Sequence, residues 1–207
     1  MLKKITLLGL AVFSFAVMAV SQIMPSPNRA EGDGPYDRLI IRGVTLIDGT
    51  GAPPIGPVDI VVEKNRITQV QTVGYPGLDI NENRRPKADD KTKVMDLEGH
   101  YLLPGFVDMH GHIGGNGQGT PAEYVFKLWM AHGITTVRDP SAGNGLNWVL
   151  DHKKKSAANQ ITAPRILAYT AFGQGASSSI TNAEQAKAWV NENKAKGADG
   201  IKFFGAK

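Results

Sequence analysis

The sequence predicts an α/β protein in two parts, a small all-β unit over residues 38–103 and then strands and helices in alternation over residues 104–207. Three observations predict it. Up to residue 103 the chain reads as short β-rich runs broken by Gly, Pro, Asp and Asn, with no stretch that keeps a helical period. After residue 103, β-branched runs alternate with amphipathic segments that open on helix-start residues and close on glycine. The composition, 42% hydrophobic and 20% charged, is that of a globular chain.

The N-terminus precedes both parts. Lys3 and Lys4 lead into an apolar run from Ile5 to Val20 that leaves through Ala19-Val20-Ser21. A basic start, an apolar middle and a small-residue exit describe a signal peptide over residues 1–21, cleaved after Ala19 or Ser21. The alternative is an uncleaved membrane anchor, although the run is slightly short of the ~20 apolar residues of a spanning helix. Either way the body of the protein is expected outside the cytoplasm, periplasmic or secreted. Residues 22–37 are rich in Pro, Gly, Asp and Asn and read as a linker. The chain has no cysteine, which excludes disulfides, a lipoprotein anchor, thiolate metal sites and a cysteine nucleophile.

In the all-β unit, Leu39-Ile40-Ile41 runs into Val44-Thr45-Leu46-Ile47, and Val58–Val62 and Arg66–Val70 flank a hairpin turn at Lys64-Asn65. Gly77–Lys93 reads as a polar loop, and Val94–Leu97 resumes the strand pattern. Phe106–Ile113 is then the first strand of the alternating part. Thr120-Pro121-Ala122-Glu123 opens a helix with a Thr cap, Pro at the first position and Glu three residues on; Tyr124, Val125, Leu128 and Trp129 form its inward stripe and Gly133 its end. Ile134–Val137 is the second strand, stopped by Asp139-Pro140, and Leu146, Val149 and Leu150 mark the second helix. Arg165–Tyr169 is the third strand. A second capping box at Thr181–Glu184 starts the third helix, with Ala186, Trp189 and Val190 inward and Gly197 at its end, and Gly200–Phe204 is the fourth strand. This alternation implies a parallel sheet with helices outside it, either open and doubly wound or closed as a barrel. Gly115, Gly117 and Gly119 lack the G-x-G-x-x-G spacing, so a dinucleotide site is set aside.

The net charge is +4, and +2 once Lys3 and Lys4 leave with the signal, 4 − 2 = 2. The basic runs Arg84-Arg85-Pro86-Lys87 and His152-Lys153-Lys154-Lys155 have no interleaved aromatics and read as solvated surface, not as a nucleic-acid face.

Two features carry chemistry. Side chains alternate along a strand, so Phe106, Asp108, His110 and His112 share one face and Val107, Met109 and Ile113 the other. Two imidazoles two residues apart on one face can converge on one metal ion, and Gly111 between them removes bulk and eases the turn into the loop. A His-x-His pair by itself is common by chance; this one ends a strand that begins a βα series. Lys202 is the second feature, set between Ile201 and Phe203. Burial favours its neutral amine, which can take up carbon dioxide as a carbamate, an anionic two-oxygen ligand. The alternative is a strand-end lysine that reaches water. Asp139 and Gln174, after the second and third strands, are positioned to face a substrate, or are turn and loop residues. His100, His132 and His152 are not read as ligands.

Together, Val44–Gly51, Ile60–Ile67, Val94–Gly99, Leu103–His112, His132–Asp139 and Gly197–Lys202 resemble, in order and spacing, the amidohydrolase superfamily of metal-dependent hydrolases. The Gly-Ala-Asp-Gly-Ile-Lys run is most similar to its prolidase-like and imidazolonepropionase-like members. The resemblance implies a small β-sandwich followed by the first half of a (β/α)8 TIM barrel. It implies metal ligation by His110 and His112 at the end of the first barrel strand, a carboxylated Lys202 bridging two ions, and Zn2+ as the metal. The implied reaction is hydrolysis of a C–N bond, in an amide, cyclic amide or Xaa-Pro dipeptide, by metal-activated water. The alternatives are a mononuclear hydrolase of a cyclic amidine or imidazolone, and a non-catalytic fragment. The implied partner is a small molecule or dipeptide, not nucleic acid, with homo-oligomerisation left open. The family's later histidines and its general base would fall beyond residue 207, so the chain reads as truncated.

Overall fold

The computed structural model describes residues 34–205 except Asn116 and Gly117. The expected signal peptide and residues 22–33 of the expected linker lie outside the described residues. No helix among the described residues is long and apolar enough to cross a membrane.

The first part is all-β, as the sequence predicts. It comprises β1 (Arg38–Leu46), β2 (Ile55–Glu63), β3 (Arg66–Thr72), β4 (Lys93–Asp96) and β5 (Tyr101–Leu102). They form one five-stranded sheet, ordered β3-β2-β1-β4 with β5 also on β1. The β2–β3 hairpin turns at Lys64-Asn65, where Glu63 pairs with Arg66 and Lys64 takes a positive φ of 53°. Val44, Val58 and Ile60 form the core on one face.

Val58, Asp59, Ile60 and Val61 are all buried, so β2 is covered on both faces. That corrects the reading of Arg85 and Pro86 as solvated surface, whereas Arg84 and Lys87 are exposed as expected. An ionised carboxylate in an apolar strand requires a partner, and Arg85 supplies it. The guanidinium Nη1 donates to both Asp59 oxygens at 3.1 and 3.2 Å, while the Gly43 N–H donates to Asp59 Oδ1 at 2.9 Å. The Arg85 side chain is only 8% exposed. Burial draws its pKa down, but bonding to Glu82 and the Asp59 charge outweigh this and leave it raised.

The second part alternates β6 (Phe106–Asp108), α1 (Ala122–Ala131), β7 (Ile134–Asp139), α2 (Leu146–Ala157), β8 (Arg165–Ala171), α3 (Ala183–Lys196) and β9 (Gly200–Lys202). The four strands are parallel and ordered β6-β7-β8-β9. A doubly wound sheet reverses its strand order. Among the described residues the order does not reverse, and the four strands form a parallel half-barrel. Ile113, Phe126, Val137, Val149, Ile166 and Ala168 pack beneath the helices.

Several boundaries differ from those predicted. β6 stops at Asp108 instead of running to Ile113, because the Asp108 carboxylate accepts the His110 N–H at 2.8 Å and turns the chain. The Gly111 N–H nevertheless donates to the Arg138 carbonyl at 3.1 Å, so the segment stays beside β7. Thr120 does not cap α1; Pro121 precedes the helix with no side-chain cap. Ala122 and Phe126 are buried and Trp129 packs beside them, whereas Leu128 is exposed. The inward stripe is therefore rotated from the predicted one. The α3 cap is Asn182, not Thr181. Its side chain accepts the Gln185 N–H at 2.9 Å, and Gln185 Oε1 in return accepts the Thr181 N–H at 2.8 Å. β9 ends at Lys202, and Phe203 and Phe204 are exposed beyond it.

Candidate metal centre

Parallel strands bring their C-terminal ends to one edge of the sheet. Residues 108–112, Asp139, the turn after β8 and Lys202 all lie there. Active sites of α/β barrels collect at this edge.

The His110 and His112 rings sit together, with centroids 5.5 Å apart and planes at 71°. The strand alternation used to place them fails beyond Asp108, yet the turn delivers the same pairing. Gly111 makes it fit. A Cβ there would lie 2.5 Å from Val137 Cγ2 and 2.7 Å from Trp129 Cζ2. The chain carrying both histidines is thus pressed against the core with no room for a side chain between them.

Asp139 is almost fully buried at the end of β7. Its Oδ1 accepts the backbone N–H groups of Ser141 at 3.2 Å and Ala142 at 3.1 Å. His112 Nδ1 lies 3.8 Å from the same oxygen. Burial pushes the Asp139 pKa up, opposed by the Ser141 and Ala142 N–H groups, by the charge of His112 and by the Ile113 N–H.

Gln174 is half-buried and braced within the turn after β8. Its Oε1 accepts the Thr170 hydroxyl at 2.8 Å and the Ala171 N–H at 3.3 Å, and its Nε2 donates to the Ala142 carbonyl at 2.8 Å. These bonds occupy both ends of the amide and staple the turn after β8 to the loop after β7. Lys202 stands at the end of β9, half-buried, with Nζ 5.4 Å from the centre of the Phe204 ring. His100, His132 and His152 each contact a nearby backbone carbonyl, of Glu98, Leu128 and Trp148 respectively. His152 also stacks on Trp148 with centroids 3.9 Å apart.

Among the described residues, no three His, Cys, Asp or Glu side chains converge as a ready cation site. His110 and His112 could supply two ligands, and a further ligand has to come from a residue of another type or from outside the described set. The Asp139–His112 approach was not foreseen in sequence. The one signal for it was an acidic residue immediately before the proline that ends the second strand.

No protein-family model matches the chain. Over 130 residues it is 32% identical to adenine deaminase 2 of Rhizobium etli, and over 113 residues 31% identical to adenine deaminase of Bacillus velezensis. These alignments cover 59% and 51% of the chain, which spans 19% of the length of each relative. Among solved structures it is similar to a prolidase complexed with N-methylphosphonate-L-proline, with a TM-score of 0.53 and 18% identity over 80% of this chain and 46% of that one. It is also similar to a Xaa-Pro dipeptidase with bound methionine, with a TM-score of 0.52 and 23% identity over 80% of this chain and 46% of that one. A bottromycin amidohydrolase matches with a TM-score of 0.54 and 19% identity, over 83% of this chain and 34% of that one. These relatives, together with a parallel half-barrel and a histidine pair at its C-terminal edge, make the chain similar in part of its sequence to adenine deaminases and in fold to prolidases and amidohydrolases.

Proposed function

We propose that the chain carries part of the active site of a metal-dependent hydrolase of C–N bonds, in which His110 and His112 bind one divalent cation, zinc. The observation that carries this is the 5.5 Å separation of the two rings. Imidazoles that share an ion tetrahedrally, each at ~2.0–2.1 Å, have centroids about 5 Å apart. The donor set fits too, since imidazole suits zinc and other divalent transition metals. A bound ion would supply an acidified water and polarise the carbon under attack.

The chain's own residues hold that arrangement in place. Gly111 admits the backbone to the core, Asp108 turns it, and the pairing of Gly111 with Arg138 keeps both rings beside β7. Lys202, as its carbamate, is the proposed third ligand and the bridge to a second ion. β6 and β9 are the outer strands of the sheet, and neighbouring strands lie ~4.8 Å apart. Barrel curvature would have to carry Lys202 across the mouth to reach the pair. The five-stranded sheet is read as part of a β-sandwich and the parallel sheet as the first half of a (β/α)8 barrel. Residues 1–21 are read as an export signal.

Two substrate classes follow from different observations. The prolidase-like solved structures favour an amide such as an Xaa-Pro dipeptide. The adenine deaminase relatives favour a cyclic amidine. The full-length polypeptide carrying this chain would be assayed on an Xaa-Pro dipeptide and on adenine, before and after chelation. Turnover should disappear on chelation and return with Zn2+. Turnover that survives complete removal of metal contradicts the proposal.

A further inference from the structure

Asp139 is the buried carboxylate that this reading of the site leaves without a task. It lies 27 positions from His112 in sequence, but its carboxylate joins the two segments. On one side it accepts the N–H groups of Ser141 and Ala142, which lock the loop after β7. On the other, the Ile113 N–H acts on it, and His112 Nδ1 lies 3.8 Å from Oδ1. The residue after His112 is therefore tied to the carboxylate, and the ring lies next to it. His112 itself is exposed on its other side, with 39% of the side chain accessible, whereas the Asp139 side chain is 3% accessible. One ring nitrogen thus faces a buried anion and the other is free to face the open edge of the sheet. A separation of 3.8 Å is longer than a hydrogen bond, so the ring lies beside the carboxylate with Nδ1 as its nearer nitrogen.

We propose that Asp139 is a positioning residue for His112, fixing the proton on Nδ1 so that Nε2 is presented to the metal. The proposal rests on the metal reading given above. The ring that donates its second N–H to a carboxylate has a fixed tautomer and orientation and is the more basic ligand, and loss of such a partner typically weakens metal binding ~10–100-fold. Asp139 touches no reacting atom in this role and acts through His112 alone.

Two variants separate positioning from turn stability. Asp139→Ala removes every acceptor. Asp139→Asn keeps an amide oxygen for Nδ1–H while removing the charge. The His112 tautomer is read by 15N NMR on metal-free, folded protein, and Zn2+ affinity by competition with a chromophoric chelator. We expect wild type to hold the Nδ1–H tautomer, Asp139→Ala to lose that bias and to bind Zn2+ ~10–100-fold more weakly, and Asp139→Asn to restore the tautomer and recover part of the affinity. If Asp139→Ala does not fold, Asp139→Asn against wild type decides, with the tautomer kept and affinity reduced as the supporting result. An unbiased His112 tautomer in wild type, or wild-type Zn2+ affinity in the folded variants, overturns the proposal. Because the tautomer is read without metal, the outcome is separable from the metal reading, which fails instead if His112→Ala leaves Zn2+ binding unchanged.

Discussion

At the residue scale, the candidate site depends on one glycine. Gly111 lies where a Cβ would press on Val137 and Trp129 at 2.5 and 2.7 Å. Both neighbours belong to or pack on the core beneath the helices, so neither gives way freely. Gly111→Ala should destabilise the chain by ~1–3 kcal/mol, the range for overpacking a filled core, measured as a shift of the urea midpoint. It should also displace the histidine pair. An unchanged midpoint would mean that the backbone between the rings is not seated as described. The pair and its intervening glycine were legible in the sequence because they are local. The approach of Asp139 to His112 was not, because it depends on the register between β6 and β7. Nor was the end of β6, which Asp108 sets by bonding its own neighbour's backbone. A side chain that competes with the ladder leaves no trace in the alternation of apolar residues.

At the element scale, helix starts and sheet covers are held by particular polar contacts. Asn182 caps α3 through the Gln185 N–H. Asn182→Ala should cost about 1 kcal/mol, read by thermal or chemical unfolding; a neutral substitution would show that the cap contributes nothing here. A larger effect is expected in the first part of the chain. Asp59→Ala would leave the Arg85 guanidinium without its buried partner and the Gly43 N–H without an acceptor. Breaking such a pair typically costs ~3–5 kcal/mol. Arg85 keeps Glu82, bonded at 3.0 Å and exposed, so the effect should fall toward the lower end. Substituting both Asp59 and Arg85 with apolar residues should recover much of the loss, because no unpaired charge then remains buried. The alternation of strands and helices was readable because each helix carries its own period and stop. Its fine placement was not. Two candidate caps stood side by side at Thr181-Asn182, and only the geometry of the turn chooses between them.

At the scale of the whole molecule, the sheet of the second part has two outer strands. Among the described residues β6 and β9 each pair on one side only. Apolar side chains stand exposed near both, with Phe106 58%, Phe203 64% and Phe204 77% accessible. Unpaired strand edges flanked by exposed aromatics are templates for association. The 207-residue chain should therefore self-associate with increasing concentration in sedimentation velocity, and Phe204→Lys should weaken that association. A monodisperse monomer across the concentration series would contradict it. The sequence left two sheet architectures open, since each βα unit reads the same in both. Strand order decides between them, and order is a property of how the units dock. The same docking sets the strand ends on one edge and brings the two imidazoles to its face, which is the claim on which the functional reading stands. Titration of Co2+ into the metal-free chain, followed by its visible absorption bands, tests it most directly. The account predicts an ion bound with imidazole ligation, lost in both His110→Ala and His112→Ala; an ion bound with the same stoichiometry and affinity in both variants would contradict it.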